Sequence, residues 1–183
     1  MTKTDSTINT GLITILQACG AVKFGDFTLA SGRKSPYYID IKCASTNPNV
    51  LEYIQKQMAA VINTLDLGDI DAVAGVELGG VPLATAVSLY TKLPLIIIRK
   101  SSKGYGTGGK IVGELKEGMK VLLIEDVTTT GGSVMDAIKE IRQNNGIVTH
   151  VITVVDRCEG AYENLKGIDV ELRALVKTSD FIK

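Results

Sequence analysis

A stretch near the middle of the chain combines residue types that could bind a phosphorylated ligand. Residues 121–124 are an apolar run typical of a strand buried in a parallel sheet, and Glu125 and Asp126 follow where this strand is predicted to end. Residues 128–133 then supply three threonines, two glycines and a serine before a run with helical apolar spacing. Glycines let the backbone approach an anion, and a helix N-terminus attracts phosphate. The stretch therefore predicts a phosphate-binding loop beside an acidic pair, with a solvated turn as the alternative.

Three further segments that follow predicted strands contain residues that could bind a ligand. Residues 77–80 (Glu-Leu-Gly-Gly) lie before a predicted helix, where their N–H groups could hold a diphosphate or form an ordinary turn. Residues 99–110 are rich in lysine and glycine, and Asp156 and Arg157 follow another apolar run. Because the carboxyl ends of parallel strands meet at one edge of a sheet, these segments are expected to converge with Glu125 and Asp126.

The glycine-rich segment 99–110 satisfies two nucleotide-binding spacings only in part. Gly104, Gly106 and Gly109 have the spacing of a dinucleotide-binding fingerprint, but the residues after them alternate like a strand and do not open a helix. The spacing also fits a P-loop, yet Ile111 stands where that motif needs Ser or Thr. The remaining interpretation is a mobile loop whose cations neutralise phosphate groups, with a solvated flexible loop as the alternative.

The sequence before the regular alternation offers a candidate base-binding segment. Residues 27–38 contain Phe27, a Ser-Gly turn and the pair Tyr37 and Tyr38, either of which could stack on a planar base or be an ordinary strand aromatic. Arg157 could pair with a ligand carboxylate or form a surface ion pair. The single histidine, His150, is predicted to be structural, because it begins a strand far from the acidic pair.

Periodicity predicts an α/β protein with a mainly parallel twisted sheet flanked by helices. We expect one domain over residues 1–183, with a small N-terminal hood at about 1–45 and an α/β core at about 46–183. The predicted helices are 8–20, 51–65, 81–90 and 133–144. The predicted strands are a short one through residues 24–29, then 37–41, 71–76, 93–98, 111–115, 121–124, 147–155 and 170–176.

The amino-acid composition disfavours some classes of binding partner and indicates the cellular environment. The 20 basic and 20 acidic residues balance, so no overall field favours nucleic acid or an anionic membrane. The three cysteines are scattered without disulfide or zinc spacing, as expected of a reduced cytoplasmic protein. We see neither a signal peptide nor an apolar run of membrane-spanning length.

The acidic pair and its loop closely resemble the phosphoribosyl-diphosphate signature of the type I phosphoribosyltransferases. Arg99-Lys100-x-x-Lys103 before a glycine-rich loop, the Phe-Thr-Leu-x-Ser-Gly and Ser-Pro-Tyr elements of 27–38, and Asp156-Arg157 narrow the resemblance to the orotate phosphoribosyltransferases. The resemblance implies transfer of ribose 5-phosphate from phosphoribosyl diphosphate to orotate, giving orotidine 5′-monophosphate and diphosphate in pyrimidine biosynthesis. It also implies Mg²⁺ as cofactor and a homodimer in which the 99–110 loop reaches the neighbouring site.

The resemblance also assigns roles to residues. It implies catalytic roles for Lys100, Lys103 and Asp126, orotate contacts from Thr129, Arg157, Tyr37 and Tyr38, and Mg²⁺ held through phosphoribosyl diphosphate with Glu125 and Asp126 as candidate ligands. The implied phosphoribosyl-diphosphate contacts are Gly79, Gly80, Arg99, Lys100, Lys103, Tyr105, Glu125, Asp126, Val127, Thr128, Thr129, Thr130, Gly131, Gly132 and Ser133.

The chain departs from many bacterial members at three positions. Ala30 and Gly79 stand where lysine is usual, and Tyr105 stands where histidine is usual. Two other functions stay open from the sequence: a phosphoribosyltransferase for another base, such as a purine, and a non-enzymatic regulator that senses phosphoribosyl diphosphate. Arg157 and the hood argue against the first, and the neutral net charge argues against a nucleic-acid-binding regulator.

Overall fold

The computed structural model describes residues 9–28, 32, 34–65, 70–101 and 109–181. The helices are α1 (Thr10–Ala18), α2 (Ile41–Ser45), α3 (Pro48–Thr64), α4 (Gly80–Thr91), α5 (Gly132–Gln143), α6 (Ala161–Lys166) and α7 (Thr178–Phe181). The strands are β1 (Val22–Thr28), β2 (Lys34–Ile39), β3 (Ala72–Val76), β4 (Leu95–Ile98), β5 (Ile111–Val112), β6 (Val121–Thr128), β7 (His150–Asp156) and β8 (Glu171–Lys177).

The predicted parallel sheet is confirmed. Its strand order is β5-β4-β3-β6-β7-β8, and all neighbouring pairs are parallel except β4 with β5. The four strands that carry the candidate site are therefore adjacent, in the order β4-β3-β6-β7. Their carboxyl ends share one edge of the sheet, as the alternation of strands and helices predicted.

Helices cover both faces of the sheet, which explains why the central strands are apolar throughout. On β6, Leu122 and Ile124 belong to a buried cluster with α1, α3 and α4, whereas Val121 and Leu123 belong to a second cluster with α5 and α6. This alternation follows from the two-residue period of a strand. Both clusters anchor β6, which carries the acidic pair.

The N-terminal segment is tied to the core. Helix α1 ends in a Schellman motif, in which Gly20 has φ +75° and the N–H of Ala21 donates to the carbonyl of Leu16 at 2.9 Å. Leu12 and Leu16 are fully buried in the first of the two clusters. Strands β1 and β2 form a separate antiparallel pair, which we call the hood.

Several predicted boundaries were wrong. Strand β2 ends at Ile39, because Asp40 caps a short helix, α2, that the sequence pattern did not predict. Strand β5 stops at Val112 instead of residue 115, since Gly113 turns the chain at φ +109°. Strand β7 begins at His150, three residues later than predicted, and α6 and α7 were not predicted.

The most consequential correction concerns β6. Residues 125–128 were expected to follow the strand, but they continue it. Pairing with β3 stops at Ile124, whereas pairing with β7 continues to Thr128 opposite Asp156. The acidic pair therefore lies in a strand that has lost its neighbour on one side, and this is what opens Asp126 toward the space beyond β3.

Candidate active site

Hydrogen bonds join the ends of β3 and β4, and others join the ends of β6 and β7. The N–H of Glu77 donates to the carbonyl of Ile98 at 2.9 Å, and the N–H of Lys100 donates to Glu77 Oε2 at 3.0 Å. On the other side, the N–H of Arg157 donates to the carbonyl of Thr128 at 2.8 Å. The predicted convergence of the strand-end segments is thereby confirmed for the described residues.

The two carboxyl groups of the acidic pair differ in burial. Glu125 is buried, and burial, followed by its hydrogen bond and charge interaction with Asp126, raises its pKa to about 9. The backbone N–H of Asp126 donates to Glu125 Oε1 at 2.9 Å, and that of Val127 donates to Asp126 Oδ1 at 2.8 Å. At neutral pH Glu125 is therefore protonated.

Two glycines let the loop 77–80 lie against β6. A Cβ atom on Gly79 would lie 1.9 Å from Asp126 Oδ2, and one on Gly80 would lie 2.6 Å from the carbonyl oxygen of Ile124. Gly79 has φ −70° and ψ −30°, so the position needs glycine for space and not for its conformation. Asp126 Oδ2 consequently lies directly against the loop that opens α4, whose Gly80 supplies a backbone N–H.

In the predicted phosphate loop, two backbone carbonyl groups point toward α6. The carbonyl of Thr129 accepts from the N–H of Ala161 at 3.1 Å, and that of Thr130 accepts from Asn164 Nδ2 at 2.9 Å. Since the C=O and N–H of a trans peptide point in opposite directions, the N–H groups of Thr130 and Gly131 point to the other side. Together with the N–H groups of the first turn of α5, they form a concavity of donors that could bind an anion.

The cations of the segment 99–110 are described only at its base. The N–H of Arg99 donates to the carbonyl of Lys110 at 2.8 Å, and the Arg99 guanidinium donates to the carbonyl of Gly109. Arg99, Lys100 and Lys110 line a cavity of about 200 Å³ that also receives Ser133. Lys103 and Tyr105 lie outside the described residues.

The two tyrosines of the hood point to opposite faces of β2. The guanidinium carbon of Arg157 lies 5.3 Å from the ring centroid of Tyr37, which places β2 over the end of β7. Arg157 Nε also lies 2.9 Å from Glu159 Oε1. Tyr38 points to the opposite face of its strand, where its ring centroid is 5.7 Å from that of Phe27.

Sequence reasoning missed two residues that contact the predicted site, Asn164 and Lys42. Asn164 belongs to α6, a helix of one and a half turns that is too short to show clear periodicity. Lys42 of α2 lies 3.8 Å from Asp126 Oδ2 and 2.9 Å from Asp40 Oδ1. Its position 84 residues before Asp126 leaves no local signal.

The acids by themselves do not form a closed metal site. Within the described ranges, no group of three or more His, Cys, Asp or Glu side chains could hold a metal ion. Mg²⁺ is commonly held by one or two carboxylates together with substrate phosphates. Asp126 beside a phosphate-binding space fits that mode, whereas protonated Glu125 would first have to lose its proton.

None of the described helices is long and apolar enough to span a bilayer.

Comparisons with known proteins agree with the geometry. The phosphoribosyl transferase domain family matches residues 45–178. The orotate phosphoribosyltransferase of Methanosarcina mazei is 60% identical over 94% of this chain and 90% of its own length. The crystal structure of the Aeropyrum pernix orotate phosphoribosyltransferase aligns with a TM-score of 0.83 at 34% identity, over 92% of this chain and 94% of that chain. The Mycobacterium tuberculosis orotate phosphoribosyltransferase, solved with phosphoribosyl diphosphate, aligns at 27% identity with a TM-score of 0.76, over 93% and 96%.

Proposed function

The chain belongs to the phosphoribosyl transferase family, and we propose that it acts as an orotate phosphoribosyltransferase. The enzyme transfers ribose 5-phosphate from phosphoribosyl diphosphate to a ring nitrogen of orotate, giving orotidine 5′-monophosphate and diphosphate for pyrimidine biosynthesis. The observation that carries this function is the 60% identity to a named orotate enzyme over 94% of the chain. The meeting of an acidic pair, an anion-binding loop and an arginine at one sheet edge supplies the matching chemistry.

The orotate end of the site is formed by β7 and the hood. Glu159 forms an ion pair with Arg157, and the terminal nitrogens of the guanidinium are suited to a bidentate pair with the orotate carboxylate. Tyr37, whose ring lies beside Arg157, is proposed to stack on the planar ring, and Thr129, which directly follows β6, is proposed to contact orotate as well. Tyr38 is the weaker candidate, because its ring faces Phe27.

The 5′-phosphate is assigned to the loop of residues 128–133. Its N–H groups, the first turn of α5 and the hydroxyl groups of Thr130 and Ser133 provide donors for the phosphate oxygens. Asn164 and Ala161 hold the carbonyl groups on the far side, so the concavity is formed before the ligand arrives. Such preorganisation lowers the cost of ordering on binding.

The diphosphate is assigned to the space between loop 77–80 and the base of loop 99–110. The backbone N–H of Gly80 at the start of α4, together with Lys100 and Arg99, offsets its charge, and Lys103 of the same loop is proposed to do so as well. Mg²⁺, held by the diphosphate and Asp126, would supply further positive charge on the leaving group.

The reaction exchanges one bond for another at the ribose C1. The C1–O bond to diphosphate breaks, its electron pair leaves with the diphosphate, and the anionic nitrogen of orotate forms the new bond to C1. Positive charge develops on the ribose between these events, and Asp126 lies where a carboxylate can stabilise it and hold a ribose hydroxyl. Closure of loop 99–110 would exclude water from the ribosyl centre.

The proposed function also has an expected oligomeric state and an expected cellular location. We propose a homodimer in which loop 99–110 reaches the neighbouring site, since that loop runs from β4 to the edge strand β5 and both of its ends are fixed there. A cytoplasmic location is supported by cysteines that are free in the described part of the chain.

Ultraviolet absorbance of orotate tests the function directly. We expect a decline in the absorbance when protein, orotate, phosphoribosyl diphosphate and Mg²⁺ are all present, and none when any one is left out. Turnover with adenine or uracil but not orotate would keep the fold and overturn the base assignment. Binding of phosphoribosyl diphosphate without turnover of any base would indicate a regulator.

A further inference from the structure

Lys42 is held in a defined position outside all the motifs that suggested the site. It belongs to α2, whose Ile41 and Ala44 are fully buried and fix the helix to the core. Asp40 caps this helix by accepting the N–H of Lys42 at 3.2 Å, and the same carboxylate pairs with Lys42 Nζ at 2.9 Å. A lysine held by a cap residue loses less side-chain freedom when it binds a ligand.

The ammonium group of Lys42 lies near Asp126 Oδ2, the same atom that a side chain at Gly79 would contact. Lys42 Nζ lies 3.8 Å from Asp126 Oδ2, and the missing Cβ of Gly79 would lie 1.9 Å from that atom. Three elements therefore meet at Asp126 Oδ2: α2, the loop before α4, and β6. A separation of 3.8 Å is too long for a hydrogen bond, so Asp126 does not take up a donor of this ammonium group.

The ammonium group is also suited to an anionic ligand. It has three donors, of which Asp40 uses one, and the Lys42 side chain is half exposed. The hydrogen bond to Asp40, together with the charge of Asp126, raises the pKa of Lys42 above its ordinary value, so it remains a cation. Asp40 and Asp126 would otherwise repel a diphosphate that approaches loop 77–80.

We propose that Lys42 is a further substrate-binding residue, whose ammonium group contacts the diphosphate of phosphoribosyl diphosphate beside Asp126 and Gly79. The inference rests on the proposed function, because it takes its ligand from that reaction. The cation at this side of the site thus comes from α2, since a side chain at position 79 would collide with Asp126.

Lys42→Met keeps the aliphatic stem and removes the charge. The loss of one charge-assisted hydrogen bond is expected to raise the Kd and the KM for phosphoribosyl diphosphate about tenfold to a hundredfold, with the KM for orotate unchanged. Lys42→Arg is expected to recover most of the affinity. The matched control is Lys56→Met, which breaks an exposed lysine–carboxylate pair of 2.7 Å with Glu52 on α3.

Lysine acetylation followed by mass spectrometry tests the contact in the unaltered protein. Diphosphate with Mg²⁺ is expected to slow the acetylation of Lys42 and to leave that of Lys56 unchanged. Equal rates at Lys42 with and without diphosphate would overturn the proposal, even if Lys42→Met failed to fold. An unchanged Kd for phosphoribosyl diphosphate in a folded Lys42→Met variant would also overturn it. Failure of the proposed function is a separate result, since wild-type protein would then not consume orotate.

Discussion

Substitution of Gly79 by alanine tests whether the contact between loop 77–80 and Asp126 is required for catalysis. The added Cβ would lie 1.9 Å from Asp126 Oδ2 and 2.3 Å from its Cγ, whereas real Cβ contacts stay beyond 3.0 Å. Asp126 or the loop must therefore move by about 1 Å. A displacement of about 1 Å in an active site can lower the rate about a hundredfold, which corresponds to about 2.7 kcal/mol of transition-state stabilisation.

The same substitution is expected to change stability little. Gly79 has helical φ and ψ, so alanine is compatible with the backbone and gains about 0.4–1 kcal/mol through the unfolded state. This gain opposes the cost of the local shift. We expect the Tm of Gly79→Ala to stay within about 4 °C of wild type, since about 1 kcal/mol moves the Tm of a protein of this size by about 2–4 °C.

Gly167→Ala is the matched control. Gly167 also has helical angles, φ −63° and ψ −13°, but its added Cβ would meet the backbone carbonyl oxygens of Glu163 and Asn164 at 3.4 Å instead of a site carboxylate. Orotate consumption by the three proteins gives kcat/KM, and thermal unfolding gives Tm. A Gly79→Ala enzyme within twofold of wild type would refute the argument that this glycine makes room for Asp126.

Three further predictions concern other parts of the site. Arg157→Lys is expected to raise the KM for orotate about tenfold or more, because an ammonium group cannot form the bidentate pair; an unchanged KM would remove Arg157 from the orotate site. Lys100→Ala and Lys103→Ala are each expected to lower kcat about a hundredfold with little change in Tm, and wild-type turnover in both would exclude the loop from catalysis. The free energy of unfolding of the ligand-free, metal-free protein is expected to fall between about pH 4.5 and 9, because folded Glu125, with a pKa of about 9, retains a proton that the unfolded chain has lost. Urea unfolding at several pH values checks this, and Glu125→Gln should flatten the slope; equal slopes in both proteins would contradict the burial argument.

Much of the site could be predicted from the sequence because its parts are local in the chain. An apolar run, two acids and a glycine-containing hydroxyl loop follow one another within residues 121–133, and parallel strands bring their carboxyl ends to one edge. These two facts were enough to predict the convergence with residues 77–80, Arg99, Lys100 and Arg157.

The boundaries near the site could not be predicted in the same way. Strand β6 continues through Glu125 and Asp126 because β7 remains paired with it after β3 has ended, and the length of a neighbouring strand is not encoded in residues 121–128. Helices α2 and α6 are too short for a periodic signal, although they carry Lys42 and Asn164.

The sequence by itself determined the chemistry of the site: which acids, cations and donors stand at the ends of which strands. Only the tertiary structure decided how these groups act on one another. It buries Glu125 enough to keep it protonated, turns Tyr37 and not Tyr38 toward Arg157, and places Lys42 beside Asp126. The physical reason is that burial, ring contact and charge pairing depend on distances through space, which residues far apart in the chain acquire only when the sheet, the hood and α2 pack together.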